Sequence, residues 1–289
     1  MGSKEGIMHI SMAYLEAGDE TLIPNPGYPT YQAACSLAGA TVVPYELSEK
    51  TGWLPDLDAL ETRDLSKVKI MWVNYPHMPT GAKANLAFFE RLKNFAEKHS
   101  ILIVNDNPYS FILNDEPISM LAIPGMMDVG IELNSLSKSH NMAGWRIGAL
   151  LGQSEFLNPV LKFKSNMDSG MFLPLQLAAV EALSADANWF KQQNTIYKSR
   201  QKLVFKLLDL LGCTYDQAQS GMFVWAKTPN NFSSGYTLSD QILIENAVFI
   251  TPGGIFGSQG NEYIRISLCA KEEIFKEVIQ RIKSKSNGI

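Results

Sequence analysis

The sequence is poor in the features that mark whole classes of protein. Its three cysteines, Cys35, Cys213 and Cys269, are an odd, widely spaced set with no C-x-x-C pair, so neither a disulfide framework nor a zinc ribbon is expected and a reducing compartment fits. No apolar run approaches the roughly 20 residues of a bilayer-crossing helix, and the opening Met-Gly-Ser-Lys-Glu-Gly carries no apolar signal segment. Positive charge is not in excess either: 25 Lys and Arg stand against 29 Asp and Glu, a net of −4, which argues against a nucleic-acid surface. His9, His77, His99 and His140 show neither metal spacing nor a serine or cysteine partner set. Both G-x-G-x-x-G opening a helix and G-x-x-x-x-G-K-[ST] are missing. What remains is a soluble, cytoplasmic protein of small-molecule chemistry, without nucleic acid, membrane or metal, whose 46% hydrophobic content supports a real core.

The patterning then predicts an α/β fold. Ile7, Ile10, Tyr14 and Leu15 recur at helical spacing over residues 3–17, with Ser3 placed as N-cap and Gly18 past the end. Short β-rich runs follow at 21–23, 41–43, 69–73, 101–104, 130–133 and 147–151, alternating with helical stretches such as 84–98. That order predicts a mainly parallel sheet covered by helices on both faces. Past Gln153, residues 172–183 and 188–211 read as long helices. Short strands at 222–226, 248–250 and 263–267, with helices at 238–246 and 271–283, then form a smaller α+β lobe. The expected division is 1–188 and 189–289.

Ser135-Leu-Ser137-Lys138-Ser139, followed by Arg146, comes directly after an expected strand, where site residues of parallel sheets sit. A lysine amine can attack an aldehyde while hydroxyls and a guanidinium hold a dianion, so the set suits a phosphorylated carbonyl cofactor. A loop lysine beside a surface arginine is the plain alternative. Asp106-Asn-Pro-Tyr109 ends the apolar run 101–104; a carboxylate there can keep a pyridine nitrogen protonated, and Tyr109 can offer its hydroxyl to a phenolic oxygen. The same tetrapeptide also makes an ordinary turn. Tyr28, in Asn25-Pro-Gly-Tyr28-Pro-Thr-Tyr31, could stack on a planar ring or simply pack. Ser3 and Lys4 open a helix whose free amides favour a phosphate, with Ser3 as a plain N-cap the other reading.

In this order, over nearly the whole chain, these residues resemble the fold-type I class I/II aminotransferases, which use pyridoxal 5'-phosphate (PLP). The resemblance implies the PLP-dependent transferase fold, with Lys138 carrying PLP as a Schiff base and serving as proton shuttle. It implies Asp106 and Tyr109 on the ring, Tyr28 stacked on it, and Ser3, Lys4, Ser135, Ser137 and Arg146 around the cofactor and its phosphate. Thr251-Pro-Gly-Gly-Ile-Phe256-Gly257 and then Tyr263-Ile-Arg265-Ile-Ser267 are similar to the family's small-domain segment, which makes Arg265 the residue for the substrate's α-carboxylate. The implied partners are an amino acid, a 2-oxo acid and a second copy of the chain in a homodimer. Within the family, the opening Gly-Ser-Lys-Glu-Gly is most similar to enzymes related to the LL-diaminopimelate, aspartate and alanine aminotransferases.

Two departures qualify the resemblance. Directly before Pro79-Thr80-Gly81 the family usually has an asparagine reaching the ring's phenolic oxygen; here that position is Met78, leaving Tyr109 alone, Asn74 or His77 for the task. The chain also opens almost on the phosphate-binding turn, so relatives' N-terminal segment is expected to be missing, and with it some substrate contacts. The same residues would serve a carbon–sulfur β-lyase equally well, and a PLP-binding fragment without turnover is the reading from another class.

Overall fold

The computed structural model describes residues 2–286. Its first part is a six-stranded sheet: β1 Glu20–Asn25, β2 Thr41–Glu46, β3 Val68–Val73, β4 Leu102–Asp106, β5 Gly130–Ser135 and β6 Gly148–Leu151. The spatial order is β2-β1-β3-β4-β5-β6, parallel from β2 to β5, with β6 running antiparallel at the edge. The helices of this part are α1 Gly2–Tyr14, α2 Pro29–Leu37, α3 Leu57–Leu60, α4 Leu86–His99, α5 Leu136–Ser139, α6 Ser154–Ser165 and α7 Leu173–Leu183.

Strand periodicity sorts the core into two layers. On β3, Ile70 and Trp72 join Ile7 and Ile10 of α1, Val104 and Leu133 on one face. Met71 and Val73 join Phe88 and Leu92 of α4 and Ile103 on the other. Alternate side chains point to opposite faces, so a strand buried on both sides is apolar throughout. Each such side chain contributes roughly 1.5–3 kcal/mol of burial free energy. Helix ends follow their local chemistry: Asn85 caps α4 by accepting from the Phe88 amide at 2.8 Å, and Ser100 closes it in the left-handed conformation.

The 24-residue α8 (Ala187–Leu210) leads to a second, three-stranded antiparallel sheet of β7 Phe223–Lys227, β8 Thr251–Pro252 and β9 Tyr263–Ser267, in the order β7-β9-β8. α9 Gly235–Asn246 and α10 Glu272–Ser286 pack beside it. Its core, from Val204 through Val224 and Ile264 to Phe275, also takes in Met78, Tyr109 and Ile112 from the first part.

Most expected elements form within a few residues of their predicted bounds. Three differ. The first helix begins at Gly2, so Ser3 lies inside its first turn rather than capping it. The strand expected at 248–250 forms one step later as β8, where Thr251 pairs with Arg265. Helix α6 was not among the expected elements; it forms with Pro159 inside it. Among the described residues, no helix is long and apolar enough to cross a membrane.

Candidate active site

The parallel strands bring their carboxyl ends to one edge of the sheet, and the segments leaving those ends build a cavity of about 340 Å³. Ser3, Lys4, Tyr28, Asp106, Tyr109, Ser135, Ser137, Lys138, Arg146 and Arg265 all line it. The structure therefore brings these ten candidates together, although they lie as far apart in the chain as Ser3 and Arg265. Tyr31, Asn74, Met78, Pro108, Ala143 and Phe223 complete the wall.

Asp106 is the last residue of β4 and is 4% exposed. Its Oδ2 accepts the hydroxyl of Tyr31 at 3.0 Å, while its Oδ1 is buried without a partner among the described residues. Burial is the main cause that pushes its carboxyl up to about 6, and the Tyr31 hydrogen bond opposes the rise. Beneath it, Glu132 accepts from Asn105 Nδ2 at 3.1 Å, Asn107 Nδ2 at 3.2 Å and the Met120 amide at 2.9 Å. This buried carboxylate ties the β4 and β5 ends together. Burial also raises Tyr109, and the Asp106 charge adds to the effect while Arg265 opposes it.

Lys138 sits in the short helix α5. Ser135 caps that helix, its Oγ accepting the Ser137 amide at 3.2 Å. Two contacts that sequence reasoning missed hold this turn from α8: Trp189 Nε1 donates to the Ser139 carbonyl at 3.0 Å, and Asn141 Nδ2 donates to Gln193 Oε1 at 2.8 Å. Neither position carries a local signal, since the contacts span about fifty residues. Among the described residues no carboxylate lies within ion-pair reach of Lys138. Its amine is free for chemistry.

The start of α1, Ser137 and Arg146 converge at one end of the cavity. Arg146 Nη1 donates to Ser137 Oγ at 3.3 Å and to the Ala143 carbonyl at 2.8 Å. Gly2 has φ +52°, and a Cβ there would lie 2.3 Å from Arg146 Nη2, so glycine is what lets the guanidinium approach the helix start. Lys4 Nζ stands 5.9 Å from the Tyr28 ring centre. Backbone amides of a first helical turn, a hydroxyl and a guanidinium together suit a dianion.

At the opposite end, Arg265 on β9 lies between two rings, its guanidinium carbon 4.1 Å from the centre of Phe223 and 4.4 Å from that of Phe256. Its Nη1 donates to Met78 Sδ at 3.4 Å, and its Nε is buried without a partner among the described residues. Burial lowers the guanidinium's proton affinity, against the pull of Tyr109. A planar cation of this kind, held by aromatic faces and a weak thioether acceptor, has the chemistry to suit a carboxylate.

Of the residues left open around Met78, Asn74 reaches the cavity wall, donating from Nδ2 to the Asp106 carbonyl and accepting the Met78 amide on Oδ1 at 2.8 Å. His77 instead turns to Thr80 Oγ1 at 2.8 Å, and burial holds it down to about 3, a neutral structural group. Tyr31 was legible only in part: it lies one helical turn after Tyr28, and the two rings meet edge to face at 5.7 Å.

The family model for aminotransferase class I and II matches residues 1–282. An LL-diaminopimelate aminotransferase of Dehalococcoides mccartyi is 39% identical over 284 residues, covering 98% of this chain and 73% of its own length. One from Oleidesulfovibrio alaskensis is 40% identical over 290 residues, covering 98% of this chain and 74% of its own length. Among solved structures, apo-BacF from Bacillus subtilis superposes with a TM-score of 0.94 at 37% identity, covering 98% of this chain and 76% of that one. An aromatic aminotransferase from Pyrococcus horikoshii superposes with a TM-score of 0.91 at 27% identity, over 99% and 78%. In sequence and in fold, the chain belongs to the class I and II aminotransferases, enzymes that move amino groups.

Proposed function

We propose that the chain binds PLP in this cavity and moves an amino group between an amino acid and a 2-oxo acid. The observation that carries the reading is that Lys138 shares a cavity with a buried Asp106 whose Oδ1 has no partner among the described residues, together with an anion cradle and the Arg265 guanidinium. Bound PLP would supply an electrophilic carbon and an electron-withdrawing ring. The phosphate fits the amides of α1 with Ser3, Lys4, Ser135, Ser137 and Arg146, and the ring fits against Tyr28. Asp106, with Oδ1 unpartnered among the described residues, would hold the ring nitrogen's proton in place. Tyr109 offers its hydroxyl to the phenolic oxygen. Lys138 would hold the cofactor, and its Nζ, once released, would take the proton from the amino acid's Cα and keep it at hand for return. Arg265 grips the α-carboxylate and sets the Cα–H toward Lys138, an orienting role.

The names of the relatives make LL-diaminopimelate the first amino acid to try. Three further readings accompany this one. The lobes divide at 1–188 and 189–289, α8 being the bridge. The three cysteines are free, in keeping with a cytoplasmic setting. A second copy of the chain covers α7, none of whose residues is buried.

The test is visible absorption of the purified chain with PLP, followed by a panel of amino acids. A protein-bound band that Lys138→Ala lacks, and that an amino acid bleaches in the parent, is the expected result, with turnover lost by more than about a thousandfold in the variant. No band would end the cofactor reading. A band that no amino acid alters would end the transfer reading, and pyruvate and ammonia from cystathionine without an acceptor would replace it with β-elimination.

A further inference from the structure

Tyr31 has no role among the residues assigned so far, yet its placement is tightly specified. It is 1% exposed, stacks on Trp72 at 5.2 Å and 15°, and meets Tyr28 edge to face. The one hydrogen bond its hydroxyl makes among the described residues runs to Asp106 Oδ2 at 3.0 Å. Two residues at the start of α2 thus divide the labour: Tyr28, the N-cap, lines the cavity, and Tyr31, three residues later, gives its hydroxyl to Asp106.

Resting on the cofactor reading above, we infer that Tyr31 is a positioning residue for the ring nitrogen's acid: its hydroxyl occupies Asp106 Oδ2, so that Oδ1 alone is presented, ionised, to the protonated ring. A carboxylate has two equivalent oxygens and free rotation about its Cβ–Cγ bond. Fixing one oxygen fixes the other. Asn74 holds the Asp106 backbone by donating to its carbonyl, but it does not touch the carboxylate. Tyr31 from α2 and Tyr109 from the loop after β4 are the titratable groups facing Asp106, with Lys138 elsewhere in the cavity wall. Among the described residues no cation forms an ion pair with Asp106. The Tyr31 hydroxyl is therefore the chain's main device for keeping this buried acid charged, and loss of that donor would leave Oδ2 buried and unsatisfied. The direction of the titration agrees: burial raises Asp106 and the Tyr31 bond lowers it.

The experiment binds PLP labelled with ¹⁵N in the ring to the parent and to Tyr31→Phe, which removes one oxygen and keeps the stacked ring. In the parent, the ring nitrogen is expected to keep its pyridinium shift from about pH 6 to about pH 9. In Tyr31→Phe it should lose the proton within that range, and PLP should bind about tenfold more weakly, with an unchanged circular dichroism spectrum. Identical titration curves and equal affinities would overturn the inference while leaving the cofactor reading intact. A parent that binds no PLP would overturn both. Should Tyr31→Phe fail to fold, 3-fluorotyrosine placed at position 31 keeps the shape and makes the hydroxyl a stronger donor. It should then hold the pyridinium to higher pH than the parent, and an unchanged curve there would equally sink the proposal.

Discussion

Asp106 is expensive for the chain that carries it. Its folded carboxyl holds its proton up to about 6, against an ordinary value of 3.8, so between those values the folded state binds more protons than the unfolded one. The stability linked to this proton is complete below about pH 3.8 and is lost as pH rises through about 6. A shift of about two units corresponds to at most about 3 kcal/mol at neutral pH. Asp106→Asn, studied without PLP, should therefore match the parent near pH 4 and exceed it by about 2 kcal/mol near pH 8 in urea unfolding. Equal differences at both pH values would refute the cost. At this scale Lys138, Asp106 and Arg265 were legible through their order along the chain and its resemblance to a family rather than through any one of them, and the structure places all three on one cavity. The sequence was least legible at Trp189 and Tyr31, whose residue types are common in cores and whose partners lie 50 and 75 residues away.

Between elements, the end of β1 is fastened to the second lobe by backbone and amide bonds. Asn25 Nδ2 donates to Ser258 Oγ at 2.9 Å, its Oδ1 accepts the Gln259 amide at 3.2 Å, and the Gly27 amide donates to the Phe256 carbonyl at 2.8 Å. Gly257 lies in the middle, with φ +131° and space for a Cβ only 2.1 Å from Asn25 Oδ1. Gly257→Ala should thus push the two lobes apart and shift Phe256, one of the rings that frame Arg265. The expected cost is roughly 2 kcal/mol in thermal or urea unfolding, together with a raised KM for the amino acid. An unchanged KM alongside lost stability would mean that the strap does not hold Arg265. The β-rich runs were visible because both faces of the sheet are covered and the strands are apolar throughout. β8 was misplaced because a two-residue strand has no periodicity of its own, and only its pairing with Arg265 and Ile264 defines it.

For the molecule as a whole, the least ordinary surface is α7. Leu173, Leu177 and Val180 form a stripe at helical spacing, and they are 61%, 60% and 64% exposed. Phe172 and Leu183 extend the stripe at either end of the helix. The other side of the helix, through Leu175, Ala178, Ala179 and Ala182, rests on Leu136, Met142 and Ile147, the residues around the Lys138 turn. An apolar patch of this kind marks an interface, and here whatever covers it also presses on the lysine that would anchor the cofactor. With a second copy as the cover, dimerisation and cofactor retention become coupled. The double substitution Leu177→Lys and Val180→Lys touches side chains that are exposed in the single chain, so it should leave the fold intact while halving the mass seen in sedimentation. PLP should then dissociate at least about tenfold faster, because the Lys138 turn loses its backing. A parent that sediments as a monomer would remove the dimer, and a monomeric variant with unchanged PLP release would show that α7 supports the turn without help from a partner.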